Sequence, residues 1–344
     1  LFIITRNTRS VHWNNLMIRL FIPPIALLVM VLIAFCVGQI NIPLSDLMNA
    51  IKELLNGETF NDQSFVLWNI RLPRILTAIL AGAALAIAGS TYQGMFRNPL
   101  VSPDILGVSA GAGLGAVLAI YLNYSVIGVQ ILSFIFGLGT VFLVYLISQC
   151  VRRLDPILAL VLSGIAIAAL LGASISMIKL LSDPYSQLTV ITFWMMGSLT
   201  MATMSDLAIV APLLFVSIIP LILLRWRMNL LSLNDEEALA LGVNIKHLRI
   251  IFILSATLMT SATVSITGII GWIGLVIPHI ARLWVGPDFR KMLPTALFLG
   301  ATFLLLTDTI ARTAFPIEIP LGVLTAFIGA PFFIGLLING GAKS

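Results

Sequence analysis

The chain has 344 residues, of which 59% are hydrophobic and only 10% charged, with a mean hydropathy of +1.08. A soluble domain carries about 25% charged residues, so this composition excludes a water-soluble enzyme or binding module and specifies an integral membrane protein. The net charge of +5 belongs to loops beside membrane helices, where basic residues set orientation, and is no sign of nucleic-acid binding.

Apolar runs of helical length predict spans near 18–39, 73–95, 105–122, 126–148, 156–180, 206–225, 247–267, 269–285, 292–311 and 321–339. The expected fold is all-α, a polytopic protein of about ten transmembrane helices forming one membrane domain over residues 1–344. The first run is too long for a signal-peptide core and has no small-residue cleavage site after it, so it reads as a retained span. The connection near 40–70 holds LSDLMNAIKELLNG, whose apolar residues recur at helical spacing, and predicts a helix lying on the outer membrane face.

Next comes QGMFRNPLVSPDILGVSAGAGLGA, 93–116, with Arg97, Asn98, Pro99 and Leu100 at an inner boundary. Its glycines suggest a phosphate loop, but no Lys-Ser or Lys-Thr follows the last one and no strand precedes the first. Gly107, Gly111 and Gly115 instead recur every four residues, which suits close helix packing. In 156–180, Gly164, Ala168, Gly172 and Ser176 form a second small-residue stripe. The segment 184–203 is polar at both ends and predicts a short interfacial helix. The connection 226–246, RMNLLSLNDEEALALGVNIK from Arg227, is too polar to span; Asn234 would cap a short helix whose first turn holds Asp235, Glu236 and Glu237, with Gly242 ending it.

Lys and Arg gather on one side. Arg6, Arg9, Arg19, Arg97, Arg152, Arg153, Arg225, Arg227, Lys246, Arg249, Arg282, Arg290, Lys291 and Lys343 share the side of the amino terminus, whereas Lys52, Arg71, Arg74, Lys179 and Arg312 fall on the other. Both termini are therefore expected in the cytoplasm. Cys36 and Cys150 lack ligand spacing and read as buried hydrophobes. His279, beside Arg282, has no second ligand at metal-binding spacing.

Several stretches then converge: RLPR at 71–74, GAALAIAGSTYQGMFRNPLVSPDILGVSAGA at 82–112, FWMMGSL at 193–199, NLLSLNDEEALALGVN at 229–244, GIIGWIGLVIPHIARLWVGPDFRKMLP at 268–294, and DTIAR with EIPLGVLTAFIGAPFF at 308–333. In order and spacing they resemble the permease subunits of ABC importers for iron–siderophore chelates, haem and cobalamin, the FecCD-like family with the type II importer fold. The resemblance implies a homodimeric permease in a bacterial inner membrane, with two ATPase subunits on the cytoplasmic side and an extracytoplasmic binding protein on the other. It implies a coupling helix at Asn234, Asp235, Glu236, Glu237, Ala238, Leu241 and Gly242, and binding-protein docking by Arg71, Arg74 and Arg312. Pairing of Arg312 with Asp308 and headgroup anchoring of Arg71 and Arg74 are the local alternatives. The helix at 156–180 resembles the pore-lining helix, so the stripe Gly164, Ala168, Gly172 and Ser176 faces either a partner helix or the translocation path. Met196 and Ser198 would belong to an outer funnel or gate.

No Walker motif is present, so ATP and magnesium would act on a partner, and the chain itself is expected to be non-catalytic and to bind no cofactor. The expected cargo is a metal chelate, or an oxyanion such as molybdate or tungstate. The rival class is an ion-coupled secondary transporter, which would hold ionisable groups at mid-membrane depth; the spans have almost no central charge. An intramembrane enzyme finds no HExxH, paired Asp or Ser–His arrangement.

Overall fold

The computed structural model describes residues 4–56, 61–151, 155–232, 237, 240, 242 and 244–340, with side chains described from residue 18 onward except at 232, 336, 337, 339 and 340. Among the described residues the fold is all-helical. The helices are α1 Ile4–Cys36, α2 Leu44–Asn56, α3 Asp62–Val66, α4 Leu72–Met95, α5 Val108–Tyr121, α6 Val126–Cys150 and α7 Pro156–Leu181. They continue as α8 Gln187–Met195, α9 Met204–Leu223, α10 Arg225–Met228, α11 Ile245–Thr267, α12 Ile273–Val285, α13 Phe289–Thr313 and α14 Leu321–Gly340.

Among the described residues, seven helical stretches are long and apolar enough to cross a membrane: Ile18–Cys36, Asp62–Met95, Val126–Cys150, Pro156–Leu181, Met204–Leu223, Ile245–Thr267 and Phe289–Thr313. The other three expected spans correspond to shorter apolar helices, α5, α12 and α14. With 14 and 13 residues, α5 and α12 reach only about 20 Å at 1.5 Å per residue, short of a ~30 Å hydrocarbon core. Each is preceded by non-α backbone. A 3-10 turn, Pro103–Leu106, ends at the left-handed Gly107 (φ +76°) before α5. Residues 268–272 interrupt the chain before α12, with Gly268 at φ +67° and Trp272 at φ +70°. The span expected from 269 thus starts four residues later.

The segment near 40–70 contains the expected amphipathic helix as α2, and its second half runs on into the next span. There α3 joins α4 through a π turn at Leu67–Arg71 to make one 34-residue stretch. Pro73 supplies the reason. Its ring clashes with the carbonyl of the residue four before it, and the wider turn, in which Leu72 N–H reaches the Leu67 carbonyl, relieves that clash.

The centre of the bundle is α4, where small residues replace bulk. A Cβ at Gly82 would lie 2.3 Å from the Gly300 carbonyl oxygen, and one at Gly89 would lie 2.0 Å from that of Gly274. So α4 meets α13 and α12 backbone to backbone, the small-residue logic of membrane helix pairs. The stripe in α5 works likewise: Gly115 abuts the Leu132 carbonyl and Gly111 abuts Thr140, both on α6. Gly107 is not part of that stripe; it is the turn ahead of it. The antiparallel pair α4 and α13 sets the axis of the molecule. Arg97, Arg290 and Lys291 lie at its basic end, and Arg74 and Arg312 at its far end.

Candidate functional site

At the far end, three arginines and two carboxylates form one cluster. The 34-residue stretch brings Arg71 and Arg74 there, and α13 brings Asp308 and Arg312. Arg74 uses both edges of its guanidinium. Nε donates to Asp308 Oδ1 and Oδ2 at 2.9 and 3.1 Å, and Nη1 and Nη2 donate to the two Glu318 oxygens at 3.0 Å each. Asp308 is wholly buried, and Arg312 stands 3.8 Å from it as its i,i+4 neighbour. Arg312 donates instead to the Ala34 carbonyl at 2.6 Å, and Arg71 donates to the carbonyls of Phe35 and Ile40. The last turn of α1 is therefore capped by two cations, which suits the partial negative charge of a helix C-terminus, about half an elementary charge. Three positive charges face two carboxylates and one helix end, so the cluster is close to neutral.

The arginines expected at a docking surface are thus only 4, 8 and 6% exposed for Arg71, Arg74 and Arg312, and they bind their own chain. The Arg312–Asp308 pair exists, but Arg74 is the principal partner of Asp308. Headgroup anchoring of Arg71 and Arg74 does not fit their burial.

Below this cluster, three interrupted helices meet in a node. Ser198 N–H donates to the Thr267 carbonyl at 2.8 Å, Leu321 N–H to Gly197 at 3.0 Å and Gly322 N–H to Met196 at 2.9 Å. The end of α8, the break between α11 and α12 and the start of α14 are thereby stitched together. Gly197 (φ +74°) and Gly268 make this contact sterically possible, since a Cβ at Gly268 would stand 2.2 Å from the Trp194 carbonyl oxygen. Irregular backbone at membrane depth is tolerated only inside protein or along a cavity. Here both conditions are met. A cavity of about 560 Å³ is lined by Gln130, Thr189, Trp194, Ser198, Thr267 and Glu318, among others. A second, of about 650 Å³, is lined by Met196, Ile269, Trp272, Gly322, Phe327 and Pro331, among others. The first mixes apolar walls with hydroxyls and amides; the second is apolar.

At the basic end, two polar clamps hold the connection that leads into 233–243. Arg97, in a left-handed backbone conformation (φ +51°), donates Nε–H to the Leu231 carbonyl at 2.7 Å. Asn229 donates to Asp288 Oδ1 at 2.8 Å and accepts from Phe289 N–H at 3.0 Å, while Asp288 caps α13. Asn98 accepts from Leu100 N–H in an Asx turn, with Pro99 and Leu100 exposed between the clamps and solvent. Gln93 links α4 to α12 by donating to the Leu275 carbonyl and accepting from Arg282.

Of the expected coupling residues, Asn234, Asp235, Glu236, Ala238 and Leu241 lie outside the described residues. Glu237 is helical and exposed, and Gly242 is left-handed (φ +77°). The α7 stripe divides: a Cβ at Gly164 would stand 2.3 Å from the Ile105 carbonyl oxygen, whereas at Gly172 it would meet nothing. Ala168 is half-buried, and Ser176 is exposed and donates back to the Gly172 carbonyl. Met196 and Ser198 belong to the node, and both line cavities. Sequence reasoning missed Glu318, Trp272, Gly268 and Gly322. The signals were present as a lone carboxylate in EIP and as paired glycines in GIIGWIG.

A model of the FecCD transport family matches residues 26–339. The chain is 43% identical to the molybdate import system permease protein MolB of Haemophilus influenzae over 277 residues, covering 80% of this chain and 81% of that one. It is 38% identical to the hemin transport system permease protein HmuU of Yersinia pestis over 320 residues, covering 91% of this chain and 94% of that one. A solved metal-chelate type ABC transporter in an inward-facing conformation matches with a TM-score of 0.84 at 37% identity, covering 93% of this chain and 98% of that one. The matched residues run from α1 into α14 and take in the far-end cluster, the node and the basic-end clamps together: the chain belongs to the FecCD transport family.

Proposed function

We propose that this chain is one half of the translocation path of an inner-membrane ABC importer, completed by a second copy, with metal chelates or metal oxyanions as cargo. That it is an importer permease follows from its family; the cargo, the partners and the orientation are the proposal. The observation that carries it is the node. Three broken helices share hydrogen bonds between two cavities, where a change in one helix end must move the other two. Energy would enter at the basic end, through 234–242, from two ATPase subunits holding ATP and magnesium, and both termini would lie on that side. A binding protein would sit at the far end. The burial of Arg71, Arg74 and Arg312 supports a scaffolding role for them, with the binding protein meeting the exposed surface around them. The first cavity has one carboxylate at its rim and otherwise neutral donors and acceptors, which suits cargo in passage better than tight capture. The names of the relatives support both cargo types.

The test is gentle purification of the tagged chain with mass spectrometry of what accompanies it. The complex is then rebuilt in vesicles with ATP on the basic side. Uptake of labelled molybdate and of labelled ferric chelate, each with its own binding protein, is measured side by side. ATP-dependent uptake of either supports the proposal. Uptake that follows an ion gradient without ATP would replace it with a secondary transporter.

A further inference from the structure

One side of the 560 Å³ cavity is formed by a short strap, 314–320, between α13 and α14. Ile317, Glu318, Ile319 and Pro320 all line the cavity from this strap. It is fixed at its ends: Ala314 N–H donates to Ile310, Ile319 N–H to Ala311, and Leu321 N–H to Gly197 in the node. Pro316 and Pro320 limit its backbone freedom. At its middle, Phe315 and Ile317 are 60 and 79% exposed, so apolar packing does not hold it down. Glu318 does, through the outer edge of Arg74.

The two edges of Arg74 are unequal. The inner edge, Nε with Nη2, binds Asp308, which has no exposure; the outer edge, Nη1 with the same Nη2, binds Glu318, whose side chain is 29% exposed. Asp308 keeps Arg74 paired and pointed whether or not Glu318 is present, so release of Glu318 does not leave Arg74 without a counter-charge. Glu318 meets water as it leaves. A half-exposed carboxylate on a fixed guanidinium fork is an interaction that can open and re-form without disturbing its support.

We propose that Arg74–Glu318 is the latch of this cavity, and that its release swings the strap and opens the cavity to the far side of the membrane. This rests on the cavity belonging to the translocation path, but the test reads access to the cavity and not transport. In a background with Cys36→Ser and Cys150→Ser, Ser198→Cys reports from the cavity wall. The full chain in vesicles is treated from the far side with a small and a bulky membrane-impermeant maleimide. The ratio of the two rates is read, because it cancels any effect of Glu318 on thiol reactivity. Glu318→Gln is expected to raise the bulky-to-small ratio about fivefold, the factor for losing one partly exposed ion pair of ~1 kcal/mol. Arg74→Lys, which keeps a charge for Asp308 but loses the second edge, is expected to do the same and serves if Glu318→Gln does not reach the membrane. An unchanged ratio in the variants overturns the latch. So does an equal rise at Ala86→Cys in the α4 core, which would report general loosening.

Discussion

Asp308 and Glu318 hold the same arginine, yet their losses should differ. Asp308→Asn would leave Arg74 and Arg312 buried with a single, half-exposed counter-charge, and breaking such a buried pair costs about 3–5 kcal/mol. Glu318→Gln, at the rim, should cost about 0–1 kcal/mol. Denaturation of the purified chain in mild detergent gives both values, and equal losses would refute the ranking. Asp288 makes a second test at this scale. Burial pushes its carboxyl up, but the Arg290 N–H, the Asn229 amide and the charges of Arg290 and Lys291 outweigh that and hold it below the usual carboxylate range. A lowered folded value means stabilisation that is present above the ordinary carboxylate value and lost as pH falls through the folded one. Melting curves should therefore drop below about pH 4. Asp288→Asn should flatten that drop while keeping the cap, and Asp288→Ala should cost about 0.5–2 kcal/mol at neutral pH. At this scale the sequence marked Arg71, Arg74, Asp308 and Arg312 as polar groups near one membrane face. It could not show that Arg74 meets Asp308 and Glu318, because those pairs are 234 and 244 residues apart and leave no local pattern.

Among the elements, the glycines sort by what a side chain would meet. Gly82→Ala would press a methyl against the Gly300 carbonyl oxygen at 2.3 Å. Backbone cannot yield there as a flexible side chain would, so α4 and α13 must part, at about 1–3 kcal/mol for overpacking. Gly172→Ala meets nothing within 4 Å among the described residues and relieves the entropic cost of glycine in a helix. It should be neutral or stabilising by up to ~1 kcal/mol. Thermal melts of the two variants, compared in one detergent, check the contrast; a destabilised Gly172→Ala would point to a partner surface pressed on α7. Helix existence was legible from apolar runs, because twenty apolar residues leave few alternatives. The breaks were not. Residues 268–272 are as apolar as the helices beside them, so hydropathy runs straight through them. Only the φ demanded of Gly268, which sits against the α8 end, and of Trp272, which packs on α14, shows the interruption.

At the scale of the whole molecule, α4 and α13 connect the two ends. Their glycines lock them backbone to backbone, their basic ends carry the Arg97–Leu231 and Asp288–Asn229 clamps, and their far ends carry Arg74 and Asp308. In the proposed importer, a force delivered at the basic-end clamps would reach the far-end cluster through this pair. Arg97 tests the connection, because its left-handed backbone (φ +51°) makes glycine a conservative choice for the fold and a severe one for the clamp. Arg97→Gly removes a charge-assisted hydrogen bond worth about 1.5–3 kcal/mol without adding strain. In vesicles holding the assembled importer, ATP hydrolysed per cargo molecule delivered should rise about tenfold, the factor that ~1.4 kcal/mol supplies. A residue that only supported the fold would lower hydrolysis and delivery together and leave their ratio alone. That outcome would remove the α4–α13 pair from the path of coupling and leave the node to receive its signal from α11 instead.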